Sequence, residues 1–327
     1  MNTIIIGCGA IASRWLRVLS TDPRIRITAL VDPDAAVARR LTGRYPTVTA
    51  PWFPDLASAL GAVDAAVAVN LTPAGTHAAV SRTALAARLH VLSEKPLATS
   101  LADATMLAEL AAEQGLLLAV MRNRGQDGQF LQFRDLVATA ALGPYVVTGE
   151  VFLGLPNPGF RTEMALPVTT DLAVHAFDQL IELMRAPAVE VCCVESPIGF
   201  VGPHGGLATI SVTFADGSLA SYRGGYTGPR LRTPANGTWR VEAHGFAARW
   251  DGAGTVTAWA DTQDHDRVIQ LMDTPPGYQQ CITAMVDALS AGAWTPPPLA
   301  PIALLDAALV SATTRQPIPV ALTGVST

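Results

Sequence analysis

Three side chains spaced for proton chemistry stand out in the second half of the chain: Asp171, His175 and Asp178. On a helix, positions i, i+4 and i+7 share one face, so this spacing gathers two carboxylates around an imidazole. A histidine with the ordinary pKa of about 6.5 takes up a proton near neutrality, and a carboxylate beside it orients and tunes it. Upstream, Ser93-Glu94-Lys95-Pro96 carries an amine next to a proline that disfavours helix at Lys95, which leaves the amine at a strand end. An acid/base group with a fixed positive charge suits a carbinol oxygen that loses its proton while its carbon loses a hydride. In that scheme His175 is the general acid/base, Asp171 holds the imidazole or a substrate hydroxyl, and Lys95 polarises the reacting oxygen. Thr169 or Thr170 is the expected N-cap, with Asp171 in the first turn, where the helix dipole favours a carboxylate. Each residue alone has a plainer reading as an interface histidine or a loop lysine. Asp178 reads equally well as a salt-bridging or capping residue of its own domain.

Such chemistry needs a hydride carrier, and the first residues offer a place for one. The run Ile4-Ile5-Ile6 breaks at Gly7-Cys8-Gly9-Ala10-Ile11-Ala12, and a helical pattern with Trp15, Leu16 and Leu19 follows. That is a G-x-G-x-x-A fingerprint between strand and helix. Gly7 permits the tight turn, Gly9 lets the backbone approach a pyrophosphate, and Ala12 allows close helix–strand packing. The helix N-terminus then faces the phosphates. Asp32 closes the next strand, residues 25–31, where a carboxylate accepts from ribose hydroxyls and repels a 2′-phosphate, favouring NAD over NADP. Arg39 and Arg40 follow and could bind that phosphate; solvated helix-face charges are the plainer reading.

Alternation continues through helices at 35–41, Leu56–Leu60 and Leu101–Gln114 and strands at 63–69, 89–92 and 116–121. It predicts a doubly wound parallel sheet with ligands at the carboxyl ends of its strands, where Asp32, Thr72 and Lys95 fall. From Gly143 onward, period-two strands appear at 145–153, 190–194, Leu207–Phe214, 219–226, 239–244 and 247–250, with turn signals at Asp216-Gly217 and Asp251-Gly252. Helical patterns occur at 171–184, 278–289 and 302–314. The expected fold is α/β: a Rossmann domain over residues 1–121, then an α+β domain over 122–327 with an open, mostly antiparallel sheet, for substrate and oligomerisation.

Half of the 327 residues are hydrophobic and the net charge is −5. With a pI near 5.7, this argues against nucleic acid or an anionic membrane as partner. No stretch is apolar for long enough to span a bilayer, and no basic leader precedes the first apolar run. The four cysteines, Cys8, Cys192, Cys193 and Cys281, have no metal-ligand spacing. Reduced thiols and a cytoplasmic location are the expectation.

Gly7 to Ala12, Thr72-Pro73 with His77, Glu94-Lys95-Pro96 and Asp171-x-x-x-His175-x-x-Asp178 together resemble the glucose–fructose oxidoreductase / inositol dehydrogenase / rhizopine-catabolism family. Asp216-Gly217 and Val241-Glu242-Ala243-His244-Gly245 resemble its sheet motifs, so the resemblance covers essentially the whole chain. It implies an NAD(P)-dependent oxidoreductase acting on a sugar, cyclitol or related polyol, with Lys95 and the Asp171/His175 pair flanking the substrate. The expected cofactor contacts are Gly7, Gly9, Ala10, Ile11, Ala12, Asp32, Thr72, Pro73, His77, Glu94 and Lys95. For His77 a cap or other structural role is the alternative. The expected substrate contacts are Lys95, Asn123, Arg124, Arg161, Asp171 and His175. Leu166-Pro167-Val168-Thr169-Thr170 stands where the family often carries a glycine cluster, so no particular substrate transfers.

Arg122, Asn123 and Arg124 fall where the domains should meet. Arg161 could reach an anionic or hydroxyl-rich substrate, and Arg230 and Arg232 a phosphate or carboxylate, with surface solvation as the plainer reading. Apolar residues alternating along two strands (Ile210, Val212, Phe214; Leu219, Tyr222) suggest an uncovered sheet face and a homodimer or homotetramer. Two other functions fit the same motifs: a biosynthetic reductase of an imine or nucleotide-linked keto sugar, and an NAD-binding sensor without turnover.

Overall fold

The structure, a computed structural model of the chain, describes residues 1–154, 159–198, 205–227, 232–262 and 265–321. The chain divides into two compact units, Met1–Arg122 with Tyr278–Leu299, and Asn123–Gly277 with Ala300–Thr327.

The first unit alternates strand and helix: β1 (Asn2–Ile6), α1 (Ala12–Leu19), β2 (Arg26–Val31), α2 (Ala35–Arg44), β3 (Trp52–Phe53), α3 (Leu56–Leu60), β4 (Val67–Asn70), α4 (His77–Ala86), β5 (His90–Ser93), α5 (Leu101–Gln114) and β6 (Leu118–Val120). The strands pair in parallel in the order β3-β2-β1-β4-β5-β6. Ile4, Ile5 and Ile6 form an unbroken apolar run because β1 is buried on both faces. The order reverses between β1 and β4, the switch point at which ligands of such sheets bind.

The second unit carries α6 (Gly128–Ala140), β7 (Leu142–Gly154), a π-helical turn (Val168–Ala173), α7 (Val174–Leu183), β8 (Ala188–Ser196), β9 (Leu207–Phe214), β10 (Leu219–Thr227), β11 (Thr238–His244), β12 (Phe246–Trp250), β13 (Thr255–Ala260) and β14 (Arg267–Gln270). Two helices and a short strand follow: α8 (Gly277–Ala291), α9 (Ala300–Thr314) and β15 (Ile318–Pro319). Among the described residues nine strands form one sheet, β14-β13-β12-β11-β7-β10-β9-β8-β15, antiparallel except for β7 with β10. Helix α9 packs on β8, α7 on α9, and α6 on β12.

Three expectations change here. The contiguous split at residue 122 fails for 278–299: Ile282, Met285, Val286 and Leu289 of α8 join the core of Trp15, Leu16 and Leu19 in the first unit. The pattern of α8 specifies an apolar face but not the core that receives it. The alternating residues Ile210, Val212, Phe214 and Tyr222 are buried, not uncovered. The outer face carries Thr209, Ser211 and Arg223 instead, with Leu219 and Val146 as exposed apolar neighbours. Finally, α6, β13 and β14 had no counterpart in the sequence reading. No helix among the described residues is long and apolar enough to cross a membrane.

Candidate active site and cofactor cradle

Gly7 leaves β1 at φ +91°, and a Cβ there would lie 2.6 Å from the Leu71 carbonyl oxygen, so the turn admits only glycine. Gly9 is different. A Cβ on it would meet nothing within 4 Å, and Gly9 and Ala10 are exposed. The open space above that backbone fits the close approach of a pyrophosphate, while Ala12 is fully buried at the start of α1. Asp32 is fixed beside this turn. Its carboxylate accepts from the Cys8 N–H at 2.9 Å on one oxygen and from the Asp34 N–H at 2.9 Å on the other. Burial, and then the Asp32 charge, push the Cys8 thiol up to about 12, so it stays protonated. Arg39 and Arg40 are exposed on α2.

At the ends of β4 and β5 a buried polar network ties the loops together. Asn70 donates to the His77 carbonyl and the Ser81 hydroxyl at 3.0 Å each, and accepts from the Thr72 hydroxyl at 2.7 Å. The His77 ring lies between two carbonyl oxygens, Pro96 at 2.6 Å from Nδ1 and Thr72 at 2.7 Å from Nε2. Burial is the larger influence and lowers the His77 pKa, against those two contacts and Glu94. The Glu94 carboxylate is also buried. Oε1 accepts from the Trp15 indole at 2.8 Å and the Tyr278 hydroxyl at 3.0 Å, and Oε2 accepts from the Lys95 N–H at 3.1 Å. Lys95 is half-buried and precedes a cis peptide to Pro96. Glu94 and His77, expected among the cofactor contacts, therefore turn inward, whereas Asp32, Thr72, Pro73 and Lys95 remain at least partly exposed at strand ends. Lys95 is also the only lysine of the chain; the other 21 strongly basic residues are arginines.

In the second unit the expected N-cap is replaced. Pro167 holds the cap position, and Glu195 of β8 reaches over to accept from Val168 N–H (2.8 Å), Thr169 N–H (2.8 Å) and the Thr169 hydroxyl (2.7 Å). Desolvation raises the Glu195 pKa against these bonds. The turn it grips is π-helical, so Asp171 lies in a wider turn and only His175 and Asp178 lie on α7 proper. Asp171 Oδ2 accepts from Arg161 Nε at 2.6 Å and from the Tyr226 hydroxyl at 2.7 Å. The Arg161 guanidinium also sits over the Tyr226 ring, 5.5 Å from its centroid. Burial opposes the Arg161 charge, but Asp171 and Tyr226 outweigh it and raise its pKa. Burial and then the Asp171 charge push the Tyr226 hydroxyl well up, which keeps it a donor. Arg161, expected to read the substrate, is thus engaged with Asp171.

His175 and Asp178 are almost fully buried, as is Arg124. Asp178 presses on the loop after β6: a Cβ at Gly125 would lie 2.1 Å from Asp178 Oδ2. Arg232 is exposed, and Arg230 lies outside the described residues. Sequence reasoning gives no role to Asn70, Tyr278, Glu195 or Tyr226 and reads Trp15 only as part of a helical pattern. Their partners lie far away in sequence and leave no local pattern; the one hint is that a buried Trp or Tyr needs a partner for its polar end.

Residues 1–122 match a family model described as oxidoreductase family, NAD-binding Rossmann fold. Over those residues, somewhat more than a third of the chain, it is similar to that family, in line with the resemblance its motifs carry. It is 28% identical over 232 residues to an uncharacterized protein, y4oX, of Sinorhizobium fredii, covering 67% of this chain and 64% of that one. It is 32% identical over 183 residues to an inositol 2-dehydrogenase of Gluconacetobacter diazotrophicus, covering 53% and 51%. The matches thus span between half and two thirds of these relatives' lengths. Among solved structures, GenD2 from gentamicin A biosynthesis, in complex with NAD, has a TM-score of 0.82 at 24% identity, covering 98% of this chain and 97% of that one. At that identity the likeness establishes the fold.

Proposed function

We propose that the chain is an NAD-dependent oxidoreductase that moves a hydride between nicotinamide and the carbinol or carbonyl carbon of a cyclitol, sugar or related polyol. One observation carries the reading: a chain that uses arginine at every other strongly basic position keeps its single lysine at a strand end of an NAD-binding fold. An ammonium is a compact charge with rotatable donors, suited to an oxygen that becomes alkoxide-like. The backbone of Gly9, Ala10 and Ile11 holds the pyrophosphate, Asp32 the ribose hydroxyls, and Thr72 and Pro73 flank the cofactor at the end of β4. Bound NAD supplies the hydride acceptor.

In the oxidising direction His175 takes the carbinol proton as the C–H hydride leaves, and Lys95 stabilises the charge on the oxygen. Asp171, fastened by Arg161 and Tyr226, orients the imidazole or a substrate hydroxyl. Asn123 and Arg124 take part in substrate binding. The inositol 2-dehydrogenase relative supports the substrate class. The test is a screen of cyclitols, polyols, aldoses and keto sugars with NAD and NADP, followed by the absorbance of the reduced cofactor. Turnover of a polyol with NAD is expected; binding of NAD with no turnover of any class would leave a sensor.

The second unit also pairs copies of the chain through the outer face of its sheet, with Leu219 beside Val146. Sedimentation at micromolar concentration should show a homodimer or homotetramer, and a monomer would refute it.

A further inference from the structure

We propose that Glu94 and His77 are positioning residues that hold Lys95 from its two sides. The proposal rests on the reading of Lys95 as the residue that polarises the substrate oxygen. On the N-terminal side, one oxygen of the buried Glu94 carboxylate accepts from the Lys95 peptide N–H, and the other is pinned by Trp15 of α1 and Tyr278 of α8. On the C-terminal side, the Pro96 carbonyl is held by His77, whose other nitrogen reaches the Thr72 carbonyl. The Lys95–Pro96 peptide is thereby fastened to two helices that are remote in sequence and to the loop after β4.

The choice of groups follows from the geometry. The Glu94 carboxylate offers acceptors on both ends to three donors, and the His77 ring sets its two nitrogens against two backbone carbonyls, the neutral ring donating to one of them. Both side chains are nearly inaccessible, Glu94 at 4% and His77 at 1% exposure, so neither is placed to touch a ligand. A mobile ammonium would meet the reacting oxygen in only a fraction of encounters. A displacement of about 1 Å at such a group can cost on the order of 100-fold in rate.

Because Lys95 is the only lysine, reductive methylation with carbon-13 formaldehyde places an NMR label on it and on the terminal amine alone; loss of the signal in Lys95→Arg assigns it. Glu94→Gln sets an amide N–H against one of the three donors, and His77→Gln removes the two-sided bridge. In both cofactor-free variants the Lys95 line should move and broaden, while fluorescence titration shows NADH bound as in the native protein. With whichever substrate the screen identifies, kcat should fall about 10–100-fold with KM for NAD unchanged. Tyr278→Phe removes a single oxygen from a half-buried ring and should shift the line in the same sense, which keeps the test open should a buried variant fail to fold. A Lys95 line with native position and width in every folded variant would overturn the proposal. If NADH leaves the native Lys95 line unmoved, the catalytic reading of Lys95 falls instead, and the cofactor-free spectra still decide the clamp.

Discussion

The Asp32 carboxylate is fastened on both oxygens by backbone N–H groups, and under the proposed cofactor binding its fixed charge repels a 2′-phosphate. NAD should therefore bind more tightly than NADP, and Asp32→Ala should narrow the gap; fluorescence titration with both cofactors measures it. Tighter binding of NADP by the native protein would transfer the choice to Arg39 and Arg40. His175→Ala should slow turnover by about 10²–10⁴-fold and flatten its pH dependence. Asp171→Asn should be milder, because the proposed mechanism gives that residue an orienting role. A His175→Ala variant turning over at the native rate would remove His175 from the mechanism. His77 and His90 carry a further consequence. Burial lowers both pKa values, and His90 Nδ1 accepts from the Leu117 N–H. The unfolded chain then binds more protons, so their contribution is complete above about 6.5 and is lost as pH falls through the lowered folded values. Around His77 the facing charges are Glu94, which favours protonation, and Lys95, which opposes it. The melting temperature should drop on acidification below neutrality, and His90→Gln should reduce that slope.

Among the elements, the legible ones were those whose own pattern decides them. Helices Leu56–Leu60 and Leu101–Gln114 and strand Leu207–Phe214 match the sequence reading residue for residue. Helix α6 carries Phe130, Phe133 and Val137 on one face but starts at Gly128, three residues after Gly125, where glycines read as loop. Strand β14 is largely exposed and shows no alternation; it is a strand through its ladder to β13. The π-turn before α7 was illegible for a related reason: the Glu195 carboxylate that grips it is 27 residues away from Val168. Removing one of its acceptors tests that dependence. Glu195→Gln leaves a buried donor unmet, which should cost about 1–3 kcal/mol in chemical denaturation. It should also lower kcat more than cofactor affinity, since Asp171 lies in that turn and His175 follows it. Full activity with native stability would show the turn forms without it.

For the whole molecule, the class of each unit could be read from strand alternation. What could not be read was which core receives α8. In the folded chain Ile282, Met285, Val286 and Leu289 lie in the cluster with Trp15 and Leu16, each such burial being worth about 1.5–3 kcal/mol. A fragment ending at residue 122, cut where the family match ends, should therefore aggregate or melt well below the intact chain, as circular dichroism would register. Addition of a peptide spanning 278–299 should restore part of the difference, and a fragment as stable as the parent would refute the shared core.

That discontinuity sets a timetable for synthesis. The nucleotide-binding unit is translated first, yet the helix that closes its core emerges only after nearly the whole sheet of the second unit has left the ribosome. For most of translation the faces of Trp15 and Leu16 have no permanent cover, and chaperone demand should be greatest in that interval.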